Sequence, residues 1–147
     1  MKGPNIRLAA KGDVDGIASI AVESGQSSWN ERALSEVLEN PQAIVFVCVA
    51  EDIIAGYVIL YYAADEGEIT SIAVSDQFRR QGFGRLLIEE ISREALGRGV
   101  LKIYLEVRSS NAAARGLYNS TNFCEVGIRK GFYTDPIEDA IVMVREL

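Results

Sequence analysis

The sequence predicts an α/β domain built around a mixed sheet, and two stretches carry that prediction. The run from Glu68 to Gly97 reads as a strand, EITSIAV, then a glycine- and arginine-rich loop, SDQFRRQGFG, then an amphipathic helix, RLLIEEISREALG. In that helix Leu87, Ile88, Ile91 and Ala95 recur at helical spacing. Further on, Leu101, Ile103, Leu105 and Val107 alternate with Lys102, Tyr104, Glu106 and Arg108, the pattern of a strand buried on one face. The 147 residues suit one domain, 1–147, with one core.

The remaining elements follow in order. Asn5 to Ala9 turns Ile6 and Leu8 inward as a short strand. Asp13 is placed to cap a helix with Ile17, Ile20 and Ala21 on its apolar face, and Gly25 ends it. The single tryptophan, Trp29, lies in a turn where Ser28 or Asn30 caps a second helix bearing Leu34, Val37 and Leu38; Asn40-Pro41 stops it. Ala43 to Ala50 and Ile53 to Ala64 read as strands joined at Glu51-Asp52. Asp65-Glu66-Gly67 turns into the strand from Glu68 to Val74, and Gly97 and Gly99 close the long helix. Ser109-Ser110-Asn111 starts a short helix from Ala112 to Tyr118. Phe123 to Arg129 and Ala140 to Val144 are the last strands. Between them Lys130 to Asp139, with Phe132, Tyr133 and Pro136, reads as a polar loop.

Composition removes several functions. There is no histidine, so Ser-His and Cys-His catalysis and most zinc sites are excluded, and no metal is expected. The formal net charge of −6 has the wrong sign for a general nucleic-acid binder. Gly56 interrupts the longest apolar runs, which predicts no membrane span. No basic-then-apolar leader opens the sequence, and Cys48 and Cys124 lack metal or redox spacing. Both cysteines read as core residues in a cytoplasmic protein.

The loop is the first candidate site. Arg79, Arg80, Gln81, Gly82, Phe83, Gly84 and Arg85 run directly into a helix N-terminus. Glycines allow close backbone approach, and free N–H groups and the helix dipole attract anions there. The site therefore suits a phosphate or pyrophosphate. A Walker loop would need Lys-Ser/Thr after Gly84, where Arg85-Leu86 stand; a dinucleotide fingerprint needs a small residue where Leu87 stands.

Arg79, Gly82 and Gly84 match the Arg/Gln-x-x-Gly-x-Gly/Ala loop of acetyltransferases of the GNAT superfamily. The C-terminal run LEVRSSNAAARGLYNSTNF, from Leu105 to Phe123, resembles the matching segment of the RimI-type subgroup, and Arg129, Tyr133 and Glu138-Asp139-Ala140 fit its tail. That subgroup acetylates the N-terminal alanine of a small-subunit ribosomal protein. The resemblance implies the GNAT fold, a mostly antiparallel sheet of about seven strands flanked by about four helices. Two departures stand out. Asn122 replaces the family's glycine before Phe123, and asparagine still tolerates a left-handed backbone. The loop before Glu138 is short, with Phe132 where relatives often carry tyrosine.

The resemblance also implies roles. Acetyl-CoA is the cosubstrate. Arg79 to Arg85 hold its pyrophosphate, backbone groups of Ile72, Ala73 and Val74 hold its pantetheine arm and acetyl carbonyl, and Asn111 binds it or fixes a helix start. Glu106 is the general base, directly or through water, Tyr118 the general acid for the thiolate, and Trp29 and Tyr133 contact the acceptor. That acceptor is a protein N-terminus or a small amine, met by a monomer or homodimer. An α-amine has a pKa near 8 and a lysine near 10.4, so deprotonation at pH 7 costs about 1.4 against about 4.6 kcal/mol. A weak carboxylate base thus favours an α-amine, while lysine, polyamine and small-amine acceptors stay open, as does a non-catalytic acetyl-CoA-binding module.

Overall fold

The computed structural model describes residues 3–147. In chain order these form β1 (Asn5–Leu8), α1 (Val14–Glu23), α2 (Glu31–Leu38), β2 (Ala43–Ala50), β3 (Ile53–Ala63), β4 (Glu66–Val74), α3 (Phe83–Gly97), β5 (Lys102–Arg108), α4 (Ala112–Ser120), β6 (Cys124–Thr134) and β7 (Ile137–Glu146). The strands make one sheet in the order β1-β2-β3-β4-β5-β7-β6. Every neighbouring pair is antiparallel except β4 and β5, which α3 joins in parallel. The mixed, mostly antiparallel seven-stranded sheet with four helices is the expected architecture.

The apolar periodicities decide the layers. On one face α3 buries Leu87, Ile88, Ile91 and Ala95 against Val58, Leu60, Ile103, Leu105 and Met143. On the other, α1 and α2 bury Ile17, Leu34 and Val37 against Val45, Val47, Tyr57 and Ile59. That second core draws its sheet residues from β2, β3 and β4 only, so the same face of β5 and β7 is left open. Gly84 lets α3 approach α4 closely: a Cβ there would sit 3.0 Å from Leu117 Cδ2, which would have to move.

Five expectations are corrected. Leu8 does not turn inward with Ile6 but is exposed at the end of β1. Asp13 does not cap α1 with its side chain; its carboxylate takes two bonds from the Arg7 guanidinium, at 2.7 and 2.9 Å, and one from the Ala10 N–H at 2.7 Å. The Arg7 contact holds that carboxyl below its ordinary range. β4 begins at Glu66, two residues early, because the β3–β4 turn is confined to Ala64-Asp65. The polar stretch from Lys130 to Asp139 is mostly strand: β6 and β7 form a hairpin turning at Asp135-Pro136. Its register jumps between Arg129 and Tyr133, where Gly131 takes φ 61° and donates its N–H to Asp139 Oδ1 at 2.9 Å. A bulge of this kind breaks alternation, and the sequence then looks like a loop. Finally, Cys48 is buried but Cys124 is exposed on the edge strand β6.

Glu138 ties this hairpin to the start of α4. Its Oε2 accepts the Ser110 N–H and the Ser109 hydroxyl (3.1 Å), while Oε1 accepts Arg108 at 3.2 Å. These bonds, Ser110's foremost, hold its carboxyl at about 2 against an ordinary 4.5. A depressed folded pKa stabilises the fold above the unfolded value, and that gain drains away as pH falls through the folded value. Glu138→Gln should therefore be less stable than the parent at pH 7, the gap closing between about pH 4.5 and about pH 2 in matched denaturation curves. A gap that is absent at neutral pH, or constant with pH, would contradict this.

Asn122 adopts φ 68°, the left-handed backbone expected of it. Replacing it with a β-branched residue should cost about 1–2 kcal/mol, and Asn122→Gly about nothing. Urea unfolding of Asn122→Val and Asn122→Gly tests the difference; equal midpoints would show that the backbone relaxes.

Candidate active site

The sheet opens where β4 and β5 meet. They pair only through Glu66–Glu68 and Lys102–Tyr104, and beyond Glu68 the two strands part. β4 carries a bulge at this point: Leu60 pairs with Ile69 and Ile59 with Ser71, leaving Thr70 without a partner. The extra residue reverses the faces of the strand. Gly67 and Ile69 point towards α3, whereas Ser71 and Ala73 point towards α1 and α2. β5 is held on its far side by β7 along its whole length, so it cannot follow β4 back.

The gap contains a cavity of about 390 Å³ whose walls include Ile72, Glu106, Asn111, Tyr118 and Tyr133. Glu106, Asn111 and Tyr118, from β5, the β5–α4 turn and α4, are thus brought together with a β4 backbone edge. Glu106 is 18% exposed, and its Oε2 is buried without a hydrogen-bond partner; Arg129 Nε lies 3.6 Å away. The Arg129 ion pair offsets part of its charge, while the oxygen keeps room for a hydrogen-bond donor. Tyr118 is buried and packs edge-on against Phe123. Burial, and then the nearby Tyr133, push its phenol far above the ordinary tyrosine value, so it stays a neutral donor. Burial and the charge of Glu106 also raise Tyr133, whose ring lies under the Arg108 guanidinium at 4.3 Å. Asn111 caps α4 by accepting the Ala114 N–H at 3.1 Å, which leaves its amide N–H groups for the cavity.

The glycine loop lies past the end of β4. Gly82, at φ 81°, is the N-cap of α3, and the first internal bond runs from Leu86 N–H to the Gly82 carbonyl. The N–H groups of Phe83, Gly84 and Arg85 precede that bond, and no acidic side chain sits in the first turn. This helix end can hold an anion. Arg79 is tethered by Asp76 (2.8 Å) and the Val74 carbonyl (3.2 Å), and Arg80 is exposed at φ 65°. Gln81 is exposed as well. Phe83 is buried and stacked on Phe78, so only its backbone faces the loop. Arg85 donates to the Ser120 carbonyl and hydroxyl at 3.1 and 3.0 Å, fastening α3 to α4. Ala73 is buried under α1, and Trp29 is half-buried against the α1–α2 core; neither lines this cavity, nor does Val74. Among the described residues no group of three or more Cys, Asp and Glu side chains is placed to hold a metal, and no helix is long and apolar enough to cross a membrane.

Sequence reasoning missed one polar chain. The buried Tyr57 hydroxyl meets Ser71 Oγ at 2.7 Å, Ser71 Oγ donates to Gln26 Oε1, and Gln26 Nε2 donates to the Ile72 carbonyl at 3.4 Å. It pins the bulged part of β4 to the α1–α2 turn. Ser71, a polar residue among Ile69, Ile72, Ala73 and Val74, was the one available signal.

The Acetyltransferase (GNAT) family matches residues 14–123. The [ribosomal protein bS18]-alanine N-acetyltransferase of Escherichia coli is 38% identical over 117 residues, covering 78% of each chain. An N-alpha-acetyltransferase of Saccharolobus solfataricus is 30% identical over 155 residues, covering 97% of this chain and 92% of its own. The crystal structure of the ribosomal-protein-S18-alanine N-acetyltransferase from Escherichia coli superposes with a TM-score of 0.88 at 33% identity, over 98% of this chain and 94% of that one. With three-quarters of the sequence matched and the parted β4–β5 pair in place, the chain belongs to the Acetyltransferase (GNAT) family.

Proposed function

We propose that this protein transfers acetyl from acetyl-CoA to the N-terminal α-amine of a protein, and that its acceptor is an N-terminal alanine of a ribosomal protein. The observation that carries the reading is the meeting of Glu106 and Tyr118 on the walls of one cavity where β4 and β5 part. The names of the aligned relatives, both α-amine acetyltransferases, support the choice of acceptor.

In this reading the pyrophosphate lies on the N–H groups at the start of α3, with Arg79 and Arg80 beside it. Arg85 serves mainly to hold α3 on α4. The pantetheine arm runs along the open edge of β4 near Ile72, in place of the missing strand. Asn111 steadies it from the other wall. The thioester then lies between Glu106 and Tyr118. The amine attacks the carbonyl carbon, a C–N bond forms and the C–S bond breaks. Glu106 receives the amine's proton, directly or through one water, at the buried oxygen that lacks a donor. Tyr118 meets the leaving sulfur as a neutral phenol, stabilising the developing charge by hydrogen bonding. Its resistance to ionisation suits it to that more than to surrendering its proton outright. Tyr133 lies beside both groups and closes the acceptor's end of the cavity; Trp29 packs on the α1–α2 core and does not line it.

Acetylation of an alanine-starting peptide, an internal-lysine peptide with a blocked N-terminus, and a polyamine tests the acceptor. The first should turn over fastest; preference for either of the others would replace this reading. Glu106→Gln should lower kcat/KM on the first peptide about 10²–10⁴-fold, and Tyr118→Phe about 10²-fold, with the KM for acetyl-CoA little changed in each. Because burial keeps the Tyr118 phenol protonated, no falling limb below about pH 10 should belong to it in the pH–rate profile. Unchanged rates in both variants would remove the assigned roles. Gly82→Val, forcing a β-branched residue to φ 81°, should weaken coenzyme A binding at least about tenfold by titration calorimetry. Unaltered affinity would place the pyrophosphate elsewhere.

A further inference from the structure

Past the bulge at Thr70, β4 is paired on one side only: β3 holds Ser71 to Val74, while β5 has parted. An edge freed in this way can twist, and a bulge adds to the twist. One side chain crosses to it. Gln26, in the turn after α1, donates from Nε2 to the Ile72 carbonyl at 3.4 Å, 46 residues away in sequence. Its amide is not free to flip. Oε1 accepts the Ser71 hydroxyl, and Ser71 Oγ in turn meets the hydroxyl of the fully buried Tyr57 at 2.7 Å, so only Nε2 is left for Ile72. The turn itself is fixed without this bond. The Gln26 N–H donates to the Ala21 carbonyl at 2.7 Å, the Trp29 N–H donates to the Gln26 carbonyl at 3.0 Å, and Glu23 Oε1 accepts the Asp76 N–H just past β4. Gln26 and Ile72 both line the cavity that Glu106 and Tyr118 border.

We infer that Gln26 is a positioning residue for the acyl donor: it takes the place of β5 at the Ile72 carbonyl and holds the parted edge of β4 in the line that the pantetheine arm follows. The inference rests on the reading above that the arm lies along this edge. An edge peptide left to solvent samples several orientations, and ordering it on binding costs the ligand affinity. A carbonyl has two lone pairs, so the Gln26 bond fixes the peptide and still leaves one for a ligand amide. Among the described residues Gln26 makes no hydrogen bond to the loop of Arg79 to Arg85. Its effect is therefore confined to the arm and does not extend to the pyrophosphate.

Coenzyme A and its 3′-phospho-ADP fragment, which keeps the pyrophosphate but lacks the arm, are titrated into the intact protein and followed by backbone-amide NMR. In Gln26→Ala coenzyme A should bind about fivefold more weakly, the worth of one hydrogen bond, and the fragment as in the parent. Gln26→Glu still accepts the Ser71 hydroxyl but sets a carboxylate against the Ile72 carbonyl, so coenzyme A should lose more there than in Gln26→Ala. The KM for acetyl-CoA should rise in the same order, with kcat little changed. A side chain that only stabilises the fold would weaken both ligands or neither. Equal coenzyme A affinities in the parent and both variants, equal losses for the two ligands, or tighter coenzyme A binding in Gln26→Ala, the sign of a side chain that competes with the arm, would overturn the inference. In the parent, coenzyme A should shift the Ile72 amide signal and the fragment should not. If coenzyme A leaves that signal unmoved, the arm lies elsewhere, and the reading of the donor site falls together with this inference; any of the three earlier outcomes with the shift intact overturns the role of Gln26 alone.

Discussion

The short contact between β4 and β5 is the constraint on which the site depends. Three residues on each strand pair in parallel, and the rest of each strand is pulled elsewhere. β5 is tied to β7 from Lys102 to Arg108. β4 is tied to β3, bent by the bulge at Thr70, and held by Tyr57, Ser71 and Gln26. A ladder continued to Val74 would have paired the backbone fully and left no cavity. Opening it forfeits those hydrogen bonds, which is tolerable only where water or a ligand can replace them. Below the gap, Ile69, Leu105 and Val107 are buried with α3, so the sheet stays closed on its apolar side while its polar edges face open space.

That opening also explains the placement of charge. α3 follows the free end of β4 after a short loop, so its unpaired N–H groups and the loop arginines come after that strand end in the chain. Glu106 stands on the opposite strand, and Glu66 and Glu68 lie near the closed end. The sum of −6 conceals this division. The arrangement of charge, rather than its total, decides what each region attracts.

The sequence revealed what obeys a period and concealed what breaks one. Leu87, Ile88, Ile91 and Ala95 recur on one helical face, and they are buried as that spacing requires. Asn30 and Asn111 sit before helices and accept the Ala33 and Ala114 N–H groups as caps. Glu51-Asp52 forms the turn, both residues at positive φ. Asp13 occupied an equally good capping position, but Arg7 from a neighbouring strand drew its carboxylate away, a tertiary contact that local spacing does not encode. The bulges at Thr70 and near Gly131 add residues to one strand without changing its composition. The first hid the reversal of Ser71, and the second disguised a hairpin as a loop. In the candidate site, Glu106 and Tyr118 were singled out only through resemblance, because alternation alone makes Glu106 just another outward carboxylate. Gln26 and Glu138 act through contacts 45 and 28 residues away in sequence, and no local pattern marks such pairs.

Glu138 gives the hairpin a part in this geometry beyond covering the sheet edge. Its carboxylate binds Arg108 at the end of β5 and the Ser109-Ser110 backbone and hydroxyl just before α4. Tyr133 lies five residues earlier on the same hairpin, stacked under Arg108 and electrostatically coupled to both Glu106 and Tyr118. One carboxylate thus fixes the strand end that carries Glu106, the start of the helix whose last turn carries Tyr118, and the hairpin that carries Tyr133. Moving the hairpin would shift the acceptor's wall and loosen the helix beneath the phenol together. The positions of Tyr133 and Tyr118 are therefore coupled, because both arms depend on the same few hydrogen bonds.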